Sequence, residues 1–160
     1  MKSEQDNKMS CGEKAVQLFE KGYNCSQSIV LAFQEYLKLN EKTLQALSSS
    51  FGGGISRLRE VCGCVTGMAI VFGLLYGDYD INDVKEKGTH YHLIQQTALK
   101  FKEETKSLLC NELLNIKDKP SDPFKCQRDK DYYQKRPCAK YISLMANIME
   151  EVIQNKLSKN

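Results

Sequence analysis

An uncharged run of 17 residues, VCGCVTGMAIVFGLLYG at positions 61–77, constrains the fold more than any other part of the sequence. Its length lies at the lower edge of what a helix needs to span a bilayer, and it contains four glycines, a threonine and two cysteines. We therefore expect a buried helix at the centre of the fold, without membrane insertion. Gly63 and Gly67 are four residues apart and would let a second helix approach this one closely.

The other apolar residues follow helical spacing, and the alternation typical of strands is hard to find. We predict an all-α fold: a single-domain helical bundle of about five to six helices around the Gly-rich central helix. A chain of 160 residues is long enough for one domain with a buried core. Residues 1–10 are expected to form a flexible N-terminal tail, and residues 117–136 a polar connection.

Capping residues indicate where the helices begin and end. Asn24 is followed three residues later by Gln27, which is the pattern of a capping box, and Gly22 is a stop signal for the preceding helix. Pro137 suits the start of the last helix. The predicted helices cover residues 11–21, 24–37, 40–47, 61–77, 83–106, 108–116 and 137–156. Residues 48–54 (SSSFGGG) are predicted to be a flexible or tightly turned loop. The side chains predicted to face inward from the helix at 83–106 are Ile94, Ala98, Leu99 and Phe101.

The charge balance does not indicate nucleic-acid binding, and we expect no nucleic-acid partner. Lysine and arginine number 23 against 20 aspartates and glutamates, and the net charge is +3. The N-terminal residues MKSEQDNKMS lack the apolar stretch of a secretory signal, so we expect a cytoplasmic protein. Seven cysteines in a reducing compartment point to metal-binding, catalytic or redox-sensing thiols rather than to a disulfide framework.

Four cysteines, Cys25, Cys62, Cys110 and Cys138, fall at or near predicted helix starts. The partial positive charge at a helix N-terminus stabilises a thiolate, which is the form that binds metals and attacks disulfides. We therefore predict that these four are the functional thiols. Their spacing matches no local zinc or ferredoxin motif.

The other cysteines and the two histidines are predicted to be structural. Cys11, Cys64 and Cys126 are expected to fill space as small apolar residues. Positions 62 and 64 of a helix lie about 200° apart, so Cys64 is not expected to cooperate with Cys62 unless the helix begins after residue 64. His90 and His92 lie on roughly opposite faces of one helix and are not expected to share a metal ion.

Several stretches together resemble the C_GCAxxG_C_C family, small proteins that are named for their cysteine pattern and to which redox activity is ascribed. The likeness extends over most of the chain. It is carried by GYNCSQ at 22–27, FGGGI at 51–55, EVCG at 60–63 with Gly67, GLLYG at 73–77, CNELL at 110–114 and Cys138 before the last helix.

The resemblance implies that the family's four characteristic cysteines are Cys25, Cys62, Cys110 and Cys138. Cys64 stands where alanine is usual in the family. A related domain in certain cytochromes carries an iron–sulfur centre, so the resemblance favours an iron–sulfur cluster, with [2Fe–2S] as first choice and zinc as the alternative. No Cys-x-x-Cys-His is present, so covalent c-type haem is not expected.

Three functions stay open at this point. The four cysteines could ligate a metal centre or carry electrons as thiols, with an unknown redox partner protein. Alternatively, Cys25 and Cys62 could be the catalytic pair of a metal-free thiol–disulfide oxidoreductase. The third possibility is a helical binding or dimerisation module, including a homodimer, with structural cysteines.

Overall fold

The computed structural model describes residues 8–125 and 127–159. Every regular element in these residues is helical, which confirms the all-α prediction. The nine α-helices found there are α1 (Cys11–Glu20), α2 (Cys25–Ala32), α3 (Glu41–Ser48), α4 (Gly52–Ile55), α5 (Gly63–Tyr76), α6 (Val84–Thr105), α7 (Cys110–Leu113), α8 (Lys130–Lys135) and α9 (Cys138–Leu157). Two 3₁₀ turns cover Gln34–Tyr36 and Ser49–Phe51.

The predicted capping box at the start of α2 is confirmed. The backbone N–H of Gln27 donates to Oδ1 of Asn24 at 2.9 Å, and the backbone N–H of Asn24 donates to Oε1 of Gln27 at 3.1 Å. These two bonds satisfy N–H groups that the helix leaves free, and they make Cys25 the first residue of α2.

Two details of the predicted helices are wrong. Helix α2 ends at Ala32 instead of continuing to Leu37, because the backbone at Phe33 leaves the α conformation (φ −100°, ψ 12°) and a 3₁₀ turn follows. In α6, Leu99 is 47% exposed, whereas Ala98 and Phe101 are buried as predicted. One residue turns a helix by about 100°, so Leu99 cannot share the buried face that Ala98 and Phe101 define.

The core forms where α1 packs against α9 and α2 packs against α5. The largest fully buried side chains include Phe19, Phe33, Phe72, Phe101, Ile29, Met68, Ile142, Met145 and Met149. The predicted close approach at Gly67 is present, since a Cβ atom there would lie 2.9 Å from the Cβ of Ile29 in α2. The glycine therefore lets the backbone of α5 lie directly on α2.

None of the helices in residues 8–125 and 127–159 combines the length and the apolar character needed to cross a membrane. Helix α5, which contains most of the uncharged run, is 14 residues long. Residues 1–7 of the expected N-terminal tail lie outside the described residues. The expected polar connection at 117–136 contains the short helix α8.

Candidate functional site

The four predicted cysteines all lie at helix starts. Cys25, Cys110 and Cys138 are the first residues of α2, α7 and α9, and Cys62 is the N-cap of α5. Helices α2 and α9 are long enough, at 8 and 20 residues, for the peptide dipoles to favour negative charge at their first residues.

An isolated antiparallel bridge between Val61 and Leu109 brings Cys62 next to Cys110. The backbone N–H of Cys62 donates to the carbonyl of Leu108 at 2.8 Å, and the backbone N–H of Cys110 donates to the carbonyl of Glu60 at 2.7 Å. These two bonds hold the starts of α5 and α7 side by side.

Two glycines allow close packing around this bridge: Gly63 lies against Cys25 of α2, and Gly54 of α4 lies against Cys110. A Cβ atom on Gly63 would lie 2.8 Å from the Cβ of Cys25, and one on Gly54 would lie 2.7 Å from the Cβ of Cys110. Real Cβ atoms do not approach so closely, so the packing at both positions requires glycine.

The backbone from within α4 toward the bridge is left-handed over five successive residues. Residues 53–57 all have positive φ, between 47° and 68°, and Arg59 has φ 66°. The left-handed region costs a residue with a side chain about 1–2 kcal/mol, so Ile55, Ser56 and Arg57 store strain here. The turn is closed by hydrogen bonds from the N–H groups of Arg59 and Glu60 to the carbonyls of Gly53 and Gly54. It directs Arg59 toward the cysteines.

The result is one pocket whose walls include Cys25, Cys62, Cys64, Cys110 and Cys138. The pocket holds a cavity of about 30 Å³, which is room for about one or two water molecules. The structure thus brings the four predicted cysteines together, and adds a fifth. The remaining wall includes Arg59, Arg136, Tyr132, Tyr141 and Leu113.

Cys64 lines the same pocket as Cys62, although the sequence predicts that the two do not cooperate in a helix that includes both. Cys62 lies outside the helix as its N-cap (φ −55°, ψ 136°), so the 200° separation of two helical positions does not apply. The hydrogen bond between the Cys64 and Cys62 thiols, together with burial, raises the pKa of Cys64 well above its usual value. Cys64 therefore keeps its proton, and with Cys62 it forms one thiol pair.

The thiols of Cys25 and Cys138 form the other pair. Their hydrogen bond is the main cause that raises the pKa of Cys25 well above 9.0 and lowers the pKa of Cys138 below it. The positive charge of Arg136 also lowers the pKa of Cys138. Cys138 is the first residue of α9, which is longer than α2, and it lies two residues after Arg136. We therefore assign the thiolate to Cys138 and the donating S–H group to Cys25.

Cys110 contacts a buried arginine. Nη1 of Arg59 donates to Sγ of Cys110 at 3.6 Å, and Nε of Arg59 donates to Oγ of Ser121 at 2.9 Å. Burial raises the pKa of Cys110, and Arg59 opposes that rise. No local pattern in the sequence marks Arg59, Arg136 or Tyr132, because the left-handed turn and the packing of α8 decide where they point.

The thiols do not fit a metal ion in this arrangement. In the part of the chain that the structure describes, no group of three or more His, Cys, Asp or Glu side chains is placed to hold one. Four thiolates are the right donors for zinc or an iron–sulfur cluster, but here Cys25 interacts with Cys138, and Cys62 with Cys64.

The two histidines take no part in the pocket. His90 packs against Tyr79 with ring centroids 5.5 Å apart, and His92 is exposed.

The other cysteines lie away from the pocket or outside the described residues. The backbone N–H of Cys11 donates to the carboxylate of Glu150 at 3.1 Å. Burial, with the nearby charge of Glu150, raises the pKa of Cys11 to about 12, so it remains a protonated core residue, as predicted. Cys126 falls outside the described residues.

Comparison with known proteins identifies one match. No curated protein and no solved structure shows significant similarity to the chain. One family model matches residues 23–152, with the description "Putative redox-active protein (C_GCAxxG_C_C)". The matched range contains the whole five-cysteine pocket and extends over most of the 160 residues. The chain therefore belongs to the C_GCAxxG_C_C family of redox-active proteins.

Proposed function

We propose that the pocket is a thiol–disulfide redox site in which Cys25 and Cys138 are the exchanging pair. The observation that carries this proposal is that Cys25 and Cys138 are the first residues of two helices and line the same pocket. The interaction of their thiols raises the pKa of Cys25 and lowers that of Cys138. It replaces the pairing of Cys25 with Cys62 expected from the sequence, because Cys62 has Cys64 as its own thiol partner. The site would operate in a reducing compartment such as the cytoplasm, with a redox partner protein that keeps it reduced.

The roles follow from the protonation states. The thiolate of Cys138 attacks one sulfur of a substrate disulfide, and the other sulfur leaves as a thiolate, which gives a mixed disulfide. Cys25 then loses its proton and attacks Sγ of Cys138, which expels the second half of the substrate. Two electrons pass from the protein to the substrate, and the protein ends with a Cys25–Cys138 disulfide. Cys25 is partly exposed while Cys138 is buried.

The test is to react the reduced protein with bis(2-hydroxyethyl) disulfide, to quench the reaction with acid, and to map the disulfides by mass spectrometry. We expect a Cys25–Cys138 disulfide in the wild type. Cys25→Ser should accumulate the mixed disulfide on Cys138, and Cys138→Ser should lose most of the reaction. Cys11→Ser, which removes a core thiol outside the pocket, is the matched control and should behave as the wild type. A wild-type product in which Cys25 and Cys138 remain reduced would refute the proposal.

A metal centre is the second candidate, and the clustering of all four family cysteines in one pocket supports it. Cys25, Cys62, Cys110 and Cys138 would be the ligands of a [2Fe–2S] cluster or, alternatively, of zinc. Their side chains would first have to give up the thiol–thiol hydrogen bonds. Visible absorbance of anaerobically purified protein, with iron, sulfide and zinc analysis, tests this candidate. Colourless protein free of all three would eliminate it.

A further inference from the structure

The walls of the pocket carry charge of one sign. Their charged groups, among the residues the structure describes, are the guanidinium groups of Arg59 and Arg136, and no carboxylate lines the pocket. The segment 117–140 contributes Tyr132, Arg136 and Cys138 to these walls. It contains eight lysines and arginines against four aspartates, whereas the whole chain has a net charge of only +3. The positive excess of the protein is thus concentrated in a segment that contributes three residues to the pocket walls.

Arg59 is a buried cation without an acidic partner. Its exposed fraction is 2%, and no ion pair within residues 8–125 and 127–159 includes it. Its hydrogen-bond partners are the hydroxyl of Ser121 and the thiol of Cys110. A buried guanidinium is normally compensated by a negative charge, because removing it from water is costly. An anion bound in the pocket would supply that charge.

Arg136 provides a second cation on the other side of the pocket. Its guanidinium carbon lies 4.7 Å from the ring centroid of Tyr132, a stacking arrangement that holds the side chain in place. Arg136 is the C-cap of α8 and precedes Cys138 by two residues. It also forms no ion pair with any described carboxylate.

From this geometry we infer that the substrate is an anion: a small disulfide whose two halves each carry a carboxylate. This inference rests on the proposed function and names its substrate class. The cavity of about 30 Å³ has room for a group the size of one or two water molecules, such as a carboxylate, and not for a folded chain.

The reaction balances without a further reagent. The reduced Cys25 and Cys138 react with one R–S–S–R molecule, where R carries the carboxylate. One S–S bond breaks in the substrate and one forms in the protein. One R–S⁻ and one R–SH leave, with the two electrons that the protein sulfurs lose and the one proton that Cys25 loses.

Three disulfides of similar size test the inference: 3,3′-dithiodipropionate, which is anionic, bis(2-hydroxyethyl) disulfide, which is neutral, and cystamine, which is cationic. The rate of protein oxidation by each is divided by its rate with dithiothreitol, so that intrinsic reactivity cancels. We expect the normalised rate for dithiodipropionate to exceed that for cystamine by about tenfold or more. The difference should shrink when the ionic strength rises from about 0.02 M to about 0.5 M.

Two variants locate the source of the preference. Arg136→Gln removes a charge that lowers the pKa of Cys138, so it should slow oxidation by every disulfide. Its specific effect is on the ratio of the normalised rate for dithiodipropionate to that for the neutral disulfide, which should fall by about three- to tenfold. Lys135→Gln is the matched control, because Lys135 is an exposed neighbouring cation that pairs with Asp131 at 2.9 Å and does not line the pocket. It should change each rate by less than twofold. An equal loss in both variants would overturn the assignment to the pocket.

Binding of suberate tests the anion site independently of the proposed function. Suberate is dithiodipropionate with CH₂–CH₂ in place of S–S, so it can bind through its carboxylates but cannot undergo thiol–disulfide exchange. We expect calorimetric binding of suberate to the reduced protein, weakened in Arg136→Gln, and no binding of 1,8-octanediol. If the Cys25–Cys138 disulfide forms at equal normalised rates with all three disulfides and suberate does not bind, the inference is wrong and the proposed function stands. If suberate binds but the pair is never oxidised, the proposed function fails and the anion site stands.

Discussion

The α-carbon of Gly63 lies against Cys25, so that a Cβ atom on residue 63 would be 2.8 Å from the Cβ of Cys25. Gly63 separates Cys62 from Cys64, so this contact brings the first residue of α2 to the pair at the start of α5. The two thiol pairs are therefore adjacent at Gly63, the position in α5 that has no side chain.

Gly63→Ala should destabilise the fold by about 1–3 kcal/mol, because the added methyl group overlaps Cys25 and the backbone of Ser26. The measurement is urea unfolding of the reduced protein. Gly73→Ala on the same helix is the control, since no atom lies within 4 Å of its added Cβ. That substitution should stabilise the protein by about 0.5–1 kcal/mol through helix propensity alone. Equal effects at both positions would show that the Gly63 contact is loose.

Gly54→Ala should be more damaging, with a loss of about 2–5 kcal/mol. Its φ of +68° disfavours a side chain, and the new Cβ would lie 2.6 Å from the backbone nitrogen of Glu60 and 2.7 Å from the Cβ of Cys110. Gly22→Ala is the control that distinguishes backbone strain from steric overlap. Gly22 also has positive φ (+110°), but no atom lies within 4 Å of an added Cβ. It should cost about 1–2 kcal/mol, from backbone strain. Thermal unfolding of both variants beside the wild type provides the comparison, and a larger loss in Gly22→Ala would contradict it.

Alkylation should distinguish Cys138 from Cys11. The pKa of Cys138 is lowered by its hydrogen bond with Cys25, whereas burial raises the pKa of Cys11 to about 12. At pH 8 the thiolate fraction is therefore far larger at Cys138, and iodoacetamide should modify it at least about tenfold faster. Peptide mapping over time measures both rates in one sample. In urea the two rates should converge, and equal rates in the folded protein would refute the assigned protonation states.

The loss of folding stability at low pH should depend on Glu35. Hydrogen bonds from Lys14 at 2.6 Å and then Lys8 at 2.9 Å lower the pKa of Glu35 from 4.5 to about 2. A carboxylate whose pKa is lower in the folded state stabilises the protein above its unfolded pKa, and that contribution is lost as the pH falls from about 4.5 to about 2. The stability difference between wild type and Glu35→Gln should thus be present at pH 6 and vanish near pH 2.

Urea midpoints between pH 2 and pH 6 test this dependence. The difference should be small, because the Glu35 side chain is 54% exposed and surface ion pairs contribute little. Glu151→Gln is the control: it removes an exposed carboxylate that forms no ion pair with another described residue. A pH-independent difference for Glu35→Gln would show that its ion pairs do not form in solution.

The sequence alone determined the features that depend on neighbours a few residues away. The capping box of Asn24 and Gln27 spans three residues, and the helical spacing of apolar residues spans a few turns. Both could therefore be predicted without knowledge of the fold. The same local signals placed Cys25, Cys62, Cys110 and Cys138 at helix starts. The resemblance to a family then singled out the same four.

The tertiary structure alone decided how the thiols pair and which cations face them. Cys25 and Cys138 are 113 positions apart, and their contact depends on how α2 and α9 are packed. Cys64 joined the site because α5 begins one residue after Cys62, a boundary that shifts the direction of the Cys62 side chain. Arg59 reached the pocket through a left-handed turn stabilised by long-range contacts, such as that between Gly54 and Cys110. Local preference disfavours that turn, so no local pattern could predict it.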